Sequence, residues 1–348
     1  MNAASFHELN IKPLVAASPA QPRDSSRLLA LNRKTGQIRH LVFTDIKRFL
    51  SPGDCLVFNN TRVFPARLWG RKPTGGKMEV LLLRPDVRLQ GRWLALAQEC
   101  KPGLRLDFGH GFSGQAAERS AQGEWLFDFS GADVLEFARA HGEVPLPKYI
   151  LKARAAAGKE ASPSTDRHSY QTVYALTEGS VAAPTAGFHF TEQLLDGIKS
   201  AGVKTASVTL HVGWGTFKML KTPPEQHSMP SEMATLDPAQ AEAINAARKA
   251  GGRIFSVGTT STRTLESFAG EGGLLSPASR PTDIFIYPPY RFKAIDALLT
   301  NFHVPDSTPL YMAGAFCGSW DMLYEAYKQA VELKYRFYSY GDSMLIYD

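Results

Sequence analysis

Four stretches of this 348-residue chain hold residue types whose spacing could do chemistry. Residues 180–191, SVAAPTAGFHFT, put His189 between Phe188 and Phe190, behind a run of small side chains that includes Thr185. Small residues let backbone N–H and C=O groups approach a ligand. The two rings could line an apolar wall or face a cation. The imidazole titrates near neutrality and is a candidate acid or base. The same stretch also reads as a tightly packed junction, with Thr191 capping the next helix. Residues 257–267, VGTTSTRTLES, follow an apolar strand. A glycine turn and then Thr259, Thr260, Ser261 and Thr262 opening a helix make an anion site, with Arg263 adding a cation. No Gly-Lys-Ser/Thr occurs, so a carboxylate or one phosphate suits it better than a triphosphate. An ordinary helix cap would need only one of these hydroxyls.

Two further stretches add candidates. In 209–217, TLHVGWGTF, His211 ends a strand and Trp214 lies between two glycines, where it could stack on a base or simply cover the core. In 282–310, Tyr287, Tyr290, Arg291, Phe292 and Lys293 interleave rings with cations, a mixture suited to nucleic acid or to an ordinary solvated turn. Asn301 and His303 end an apolar strand, where α/β sheets put ligands. Metal chemistry has little support. His227 and Glu232 are near each other, but no paired-histidine motif exists, and Cys55, Cys100 and Cys317 are scattered. No Gly-x-Ser-x-Gly elbow occurs, and a dinucleotide-binding Gly-x-Gly-x-x-Gly loop is not expected, so nicotinamide chemistry has no support.

The elements that must position these residues can be outlined from texture. The chain is 44% hydrophobic and 21% charged, with a net charge of +6, which predicts a folded protein of about two domains and permits an anionic partner. No apolar run is long enough for a membrane helix and the N-terminus carries no secretory pattern, so a soluble cytoplasmic protein is expected. The first 25 residues read as a loose lead-in, 28–43 as a hairpin, 46–50 as a short helix and 55–63 as a strand. From about 64 to 147, short alternating runs between turns predict a small β-barrel or sandwich, with one helix at 132–141. Beyond 149 the pattern is α/β. Helices are expected at 191–201, 238–250, 263–268 and 319–333, and strands at 205–211, 253–257, 282–286 and 294–300. That alternation predicts a mainly parallel sheet, and 153–165 reads as a flexible surface loop.

The segments YQTVYA (170–175), GSVAAPTAGFHFT (179–191), TLHVGWGTF, VGTTSTRTLES, TDIFIYP, DALLTNFH and YRFYSYGDSMLI, with NNTRVFPARLWG and EVPLPKYI, together resemble the S-adenosylmethionine:tRNA ribosyltransferase-isomerase family of queuosine biosynthesis. They run in family order along nearly the whole chain. The resemblance implies an α/β fold: a larger, discontinuous, barrel-like α/β domain (1–62 and 151–348) interrupted by a small all-β barrel (63–150). It implies transfer and isomerisation of the ribosyl group of S-adenosylmethionine, a co-substrate, onto the aminomethyl-deazaguanine wobble base of a tRNA with a GUN-type anticodon. Adenine and methionine leave, epoxyqueuosine-tRNA forms, and no metal or prosthetic group is required. A monomer is expected.

Within the segments so located, residue chemistry suggests duties. His189, His211 and His303, in that order, are candidates for the base that removes an acidified C5′ proton beside the sulfonium. Thr259, Thr260, Ser261 and Arg263 could hold the methionine carboxylate. Phe188, Phe190 and Trp214 could border the sulfonium or adenine, with Tyr170, Thr185 and Asn301 as further substrate contacts. Arg62, Arg67, Arg71, Lys72, Tyr290, Arg291 and Lys293 are candidate tRNA contacts. The chain departs from the family pattern at Asn60, where a carboxylate is usual, at Pro230, where a histidine is usual, and at Pro289 and Pro309. A non-catalytic tRNA-binding relative on the same fold is the alternative; a methyltransferase is a third reading.

Overall fold

The computed structural model describes residues 2–86, 88–121, 123–159, 163–213, 215, 219–220 and 222–348. The N-terminal hairpin pairs β1 (Arg27–Asn32) with β2 (Ile38–Val42). Strand β3 (Cys55–Asn59) is buried at every position, as a central strand should be, and β4 (Thr61–Val63) follows it.

The chain then builds a closed antiparallel barrel from β5 (Arg67–Arg71), β6 (Lys77–Pro85), β7 (Arg92–Ala97), β8 (Arg105–Gly109), β9 (Phe112–Arg119) and β10 (Trp125–Ser130). Its inward positions, among them Met78, Val80, Leu106 and Phe127, form a core of their own. Helix α1 (Val134–His141), capped by Asp133, stacks Phe137 on Phe112 at 4.0 Å. The run Gly109–Gly114 has the glycine spacing of a dinucleotide loop, but it makes the β8–β9 hairpin and opens no helix.

After α2 (Lys148–Ala156), α3 (Pro163–Ser169) and β11 (Thr177–Ser180) come α4 (Glu192–Ser200), β12 (Lys204–Leu210), β13 (Glu232–Leu236), α5 (Pro238–Lys249), β14 (Ile254–Val257) and α6 (Thr259–Phe268). The chain closes with β15 (Ala278–Thr282), β16 (Ala297–Asn301), α7 (Thr308–Cys317), α8 (Trp320–Glu332) and β17 (Ser343–Tyr347). Nine strands form one sheet in the order β15-β13-β12-β3-β14-β16-β17-β1-β2. The larger domain expected to be barrel-like is therefore built on this sheet, and the closed barrel is the smaller unit.

The sheet is parallel only across β12-β3-β14-β16 and at β1-β17; the other pairs are antiparallel. That corrects the expectation of a mainly parallel sheet. The four parallel centre strands end on one edge, at Asn59, Leu210, Val257 and Asn301.

Other expectations also shift. The lead-in is ordered: Phe6 is fully buried, with its ring 4.9 Å from Tyr327. Helices α2 and α3 occupy most of the described part of 153–165; the Ala-rich end of α2 favours helix over loop, and α3 opens with Pro163 at its first position. The expected strand at 282–286 is displaced to β15, and α7 was not anticipated.

Candidate active site

A cleft of about 510 Å³ opens where the carboxyl edge of the sheet meets the barrel's outer surface. Its floor holds the end of β16 and the start of α6; its far wall holds Arg67, Glu79, Leu81 and Leu96 of the barrel.

At α6, Gly258 turns the chain with φ 89, a left-handed conformation that only glycine adopts cheaply. A Cβ there would make only ordinary contact with the Ala186 Cβ, at 3.4 Å, so the backbone conformation rather than space calls for glycine. The first N–H groups of the helix have no acceptor within it and carry its positive dipole end. Thr259 and Thr260 line the cleft, and the Thr260 Oγ1 is buried with no hydrogen-bond partner. The other hydroxyls are committed elsewhere. Ser261 Oγ donates to the Val257 carbonyl at 2.8 Å, and Thr262 Oγ1 to Ser256 Oγ at 2.8 Å. Arg263 does not line the cleft. It forms a buried ion pair with Glu232 and donates to the Ile284 carbonyl at 3.2 Å. Glu232 also accepts the Gly213 N–H at 2.7 Å, tying Gly213 to α6 through Arg263.

His189 is buried beneath the floor, 3% exposed, and is not among the cleft-lining residues. Asn301 Nδ2 donates to its Nε2 at 3.2 Å, so the proton sits on Nδ1, which donates to Ser26 Oγ at 2.7 Å. Burial holds the imidazole down to about 4, so it is neutral at physiological pH. Asn301 and Thr185 do reach the cleft, and Thr185 Oγ1 donates to Asn301 Oδ1 at 3.0 Å. His303 lines the cleft; its Nε2 is 2.7 Å from Thr300 Oγ1, and burial holds it down to about 3. His211 lies behind the wall, Nδ1 3.0 Å from Thr61 Oγ1, beside Val212, which does line the cleft; desolvation lowers its pKa. Gly179 makes room for that ring, since a Cβ there would be 2.7 Å from it.

Phe190 is core, between Phe43 at 4.9 Å and Phe58 at 5.2 Å. Phe188 packs between Tyr170 at 5.6 Å and Tyr340 at 5.8 Å, with Arg23 over its ring; of these, Tyr170 faces the cleft. Trp214 lies outside the described residues.

The candidate tRNA contacts divide. Arg67 lines the cleft and pairs with Glu79 at 3.1 Å. Arg62 donates to the Ala175 carbonyl at 2.5 Å, Lys72 lies 3.8 Å from Glu99, and Arg71 is exposed. Away from the cleft, Tyr290 donates to Glu266 at 3.1 Å. Glu266 also accepts the N–H groups of Lys293 and Ala294, leaving the side chains of Arg291 and Lys293 exposed. Sequence reasoning missed Ser26, Glu79 and Glu266, and read Glu232 only as a weak metal partner of His227. Among the described residues no cluster of three metal-ligating side chains occurs.

Residues 7–346 match the profile of the queuosine biosynthesis protein family. The chain belongs to that family. A relative from Caldanaerobacter subterraneus subsp. tengcongensis, named S-adenosylmethionine:tRNA ribosyltransferase-isomerase, is 48% identical over 99% of this chain and 100% of its own length. One of the same name from Symbiobacterium thermophilum is 48% identical over 96% of both. The crystal structure of an S-adenosylmethionine tRNA ribosyltransferase from Thermotoga maritima matches with a TM-score of 0.53 and 33% identity, over 97% of this chain and 98% of that one.

Within this family member the unusual residues have structural places. Asn60 accepts from Thr209 Oγ1 at 2.7 Å and donates to Ser207 Oγ at 3.4 Å, joining the β3 end to β12. Pro230 is half-buried beside Gly215. Pro309 lies in the first turn of α7, where a missing N–H costs nothing, and it lines the cleft.

Proposed function

We propose that this chain transfers and isomerises the ribosyl group of S-adenosylmethionine onto the aminomethyl-deazaguanine wobble base of a GUN-type tRNA, releasing adenine and methionine. It acts as a cytoplasmic monomer without a prosthetic group, with residues 63–150 as a barrel inserted between 1–62 and 151–348. The observation that carries the reading is the cleft that joins an anion-binding helix start to a polar sheet edge and a barrel wall. The Thr259 and Thr260 hydroxyls and the α6 N–H groups hold the methionine carboxylate. Tyr170 supplies an aromatic wall, and Thr185 and Asn301 fix the polar part of the nucleoside.

The base is the cleft-facing His303. Its imidazole is neutral, as a proton acceptor must be, and it can reach a C5′ proton that the sulfonium acidifies. His189 acts one residue removed. By accepting from Asn301 it holds that amide's oxygen toward Thr185, which makes it a positioning residue.

Mixing the protein with S-adenosylmethionine and tRNA bearing the aminomethyl base, and following small products by mass spectrometry, tests the reading. Adenine plus methionine is the expected result. S-adenosylhomocysteine would point to methyl transfer instead. Tight tRNA binding without turnover would leave a binding protein on the same fold.

A further inference from the structure

The barrel wall of the cleft continues onto an exposed surface. Side chains alternate along β5, so Arg67, Trp69 and Arg71 share the outer face while Leu68 points inward. Trp69 is 47% exposed. One exposed ring is ordinary on a protein surface. This one lies in register opposite Glu79 of β6, and Glu79 is the only carboxylate among the described residues that line the cleft. Arg67 fixes that carboxylate through Nε. Arg67 is itself held by the Leu146 carbonyl at 3.3 Å and by reciprocal backbone bonds with Glu143 at 3.0 and 2.9 Å. The acid is thus in position before a ligand arrives, and among the described residues Arg67 is the side chain that holds Glu79. Farther along the face, exposed Arg71 pairs in register with exposed Lys77, with Asp107 on its other side.

An indole open to solvent beside cations suits an unpaired base, which offers a π-face and a phosphate. A carboxylate at the mouth of a cleft suits a primary ammonium. The aminomethyl base of an RNA loop brings both features at adjacent nucleotides. We propose that this barrel face docks the RNA loop: Trp69 stacks on an unpaired base beside the reacting one, and Glu79 receives the ammonium of the reacting base. The inference rests on the proposed function and adds which wall of the cleft reads the RNA and which group it reads.

The test uses the full chain and two anticodon stem-loop RNAs, one with the aminomethyl group on its wobble base and one without it. Affinity is read by fluorescence anisotropy, and the KM for S-adenosylmethionine is measured with the modified RNA. Trp69→Ala weakens both RNAs by about 5- to 150-fold, the range for one lost stack, and Trp69→Phe recovers most of it. Glu79→Gln weakens only the aminomethyl RNA, by about 10-fold, and leaves the KM for S-adenosylmethionine within about twofold. Unchanged affinity in Trp69→Ala overturns the docking face. A Glu79→Gln variant that loses both RNAs equally, or that raises the KM for S-adenosylmethionine instead, overturns the ammonium assignment. Adenine release by the unmodified protein in the same assay separates these outcomes from failure of the proposed function, which would remove the inference with it.

Discussion

At the scale of single residues, three histidines that look alike in sequence differ in what surrounds them. His189 spends both ring nitrogens on Ser26 and Asn301, while His303 meets the cleft with one nitrogen held by Thr300. On the proposed reading the proton-transfer role falls to His303, the one of the three that lines the cleft. His303→Gln should lower turnover by at least about 100-fold, the lower range for a lost acid–base group. It should also stop deuterium entering C5′ of recovered S-adenosylmethionine in heavy water; continued exchange would move the base elsewhere. His189 has a different signature. Its native pKa of about 4 lies below the ordinary 6.5, so as pH falls the unfolded chain takes the proton first. The stability it supports is present above about pH 6.5 and is lost as pH falls toward 4, by up to roughly 1.4 kcal/mol per pH unit. Urea melts at pH 7, 5.5 and 4.5 should show that loss, and His189→Gln should make the slope shallower by about one proton's worth, since the buried His303 and His211 keep their own share. An equal slope in the variant would mean other groups carry the acid sensitivity.

At the scale of elements, α6 illustrates how far sequence patterns reach. A glycine turn and a hydroxyl run marked where a helix opens, four residues ahead of the apolar period expected at 263–268, and they motivate the proposed carboxylate site. They could not assign the hydroxyls, because which of them turn inward is set by the backbone carbonyls of Val257 and Gly258. Arg263 was misassigned for a similar reason. Its partner Glu232 is 31 positions away and meets it only because β13 packs near α6. The edge strand β15, ASRPT, has no apolar alternation to announce it; it forms by pairing with β13 and carries a proline where an edge strand tolerates one. The Glu232–Arg263 pair then yields a prediction for this layer. Glu232→Ala leaves a guanidinium buried and unpaired and should cost about 3–5 kcal/mol in chemical denaturation. Glu232→Leu with Arg263→Met should be clearly more stable than either single change, because no uncompensated charge remains. A double variant no better than the singles would mean that the pair's hydrogen bonds to Gly213 and Ile284 matter more than its charge.

At the scale of the whole molecule, the sheet and the barrel have separate cores, and the cleft is made where their surfaces meet. On the proposed reading the sheet side holds the small molecule and the barrel side the nucleic acid, so both units contribute to one site. The net charge of +6 is too small to bind RNA through bulk attraction, so the arrangement of cations must do it. Several of the candidates are already engaged: Arg62 by a carbonyl, Arg67 by Glu79 and Lys72 by Glu99. Arg71, Arg291 and Lys293 remain exposed, as does Lys77. Three to four phosphate contacts on a single-stranded loop correspond to a log–log salt slope of about −2 to −3. Between about 50 and 200 mM salt, tRNA affinity should therefore fall by about 20- to 50-fold, measurable by filter binding or anisotropy. Arg71→Ala with Lys77→Ala should make the slope shallower by about 1.4, whereas a change confined to affinity, with the slope intact, would remove those two side chains from the phosphate contacts.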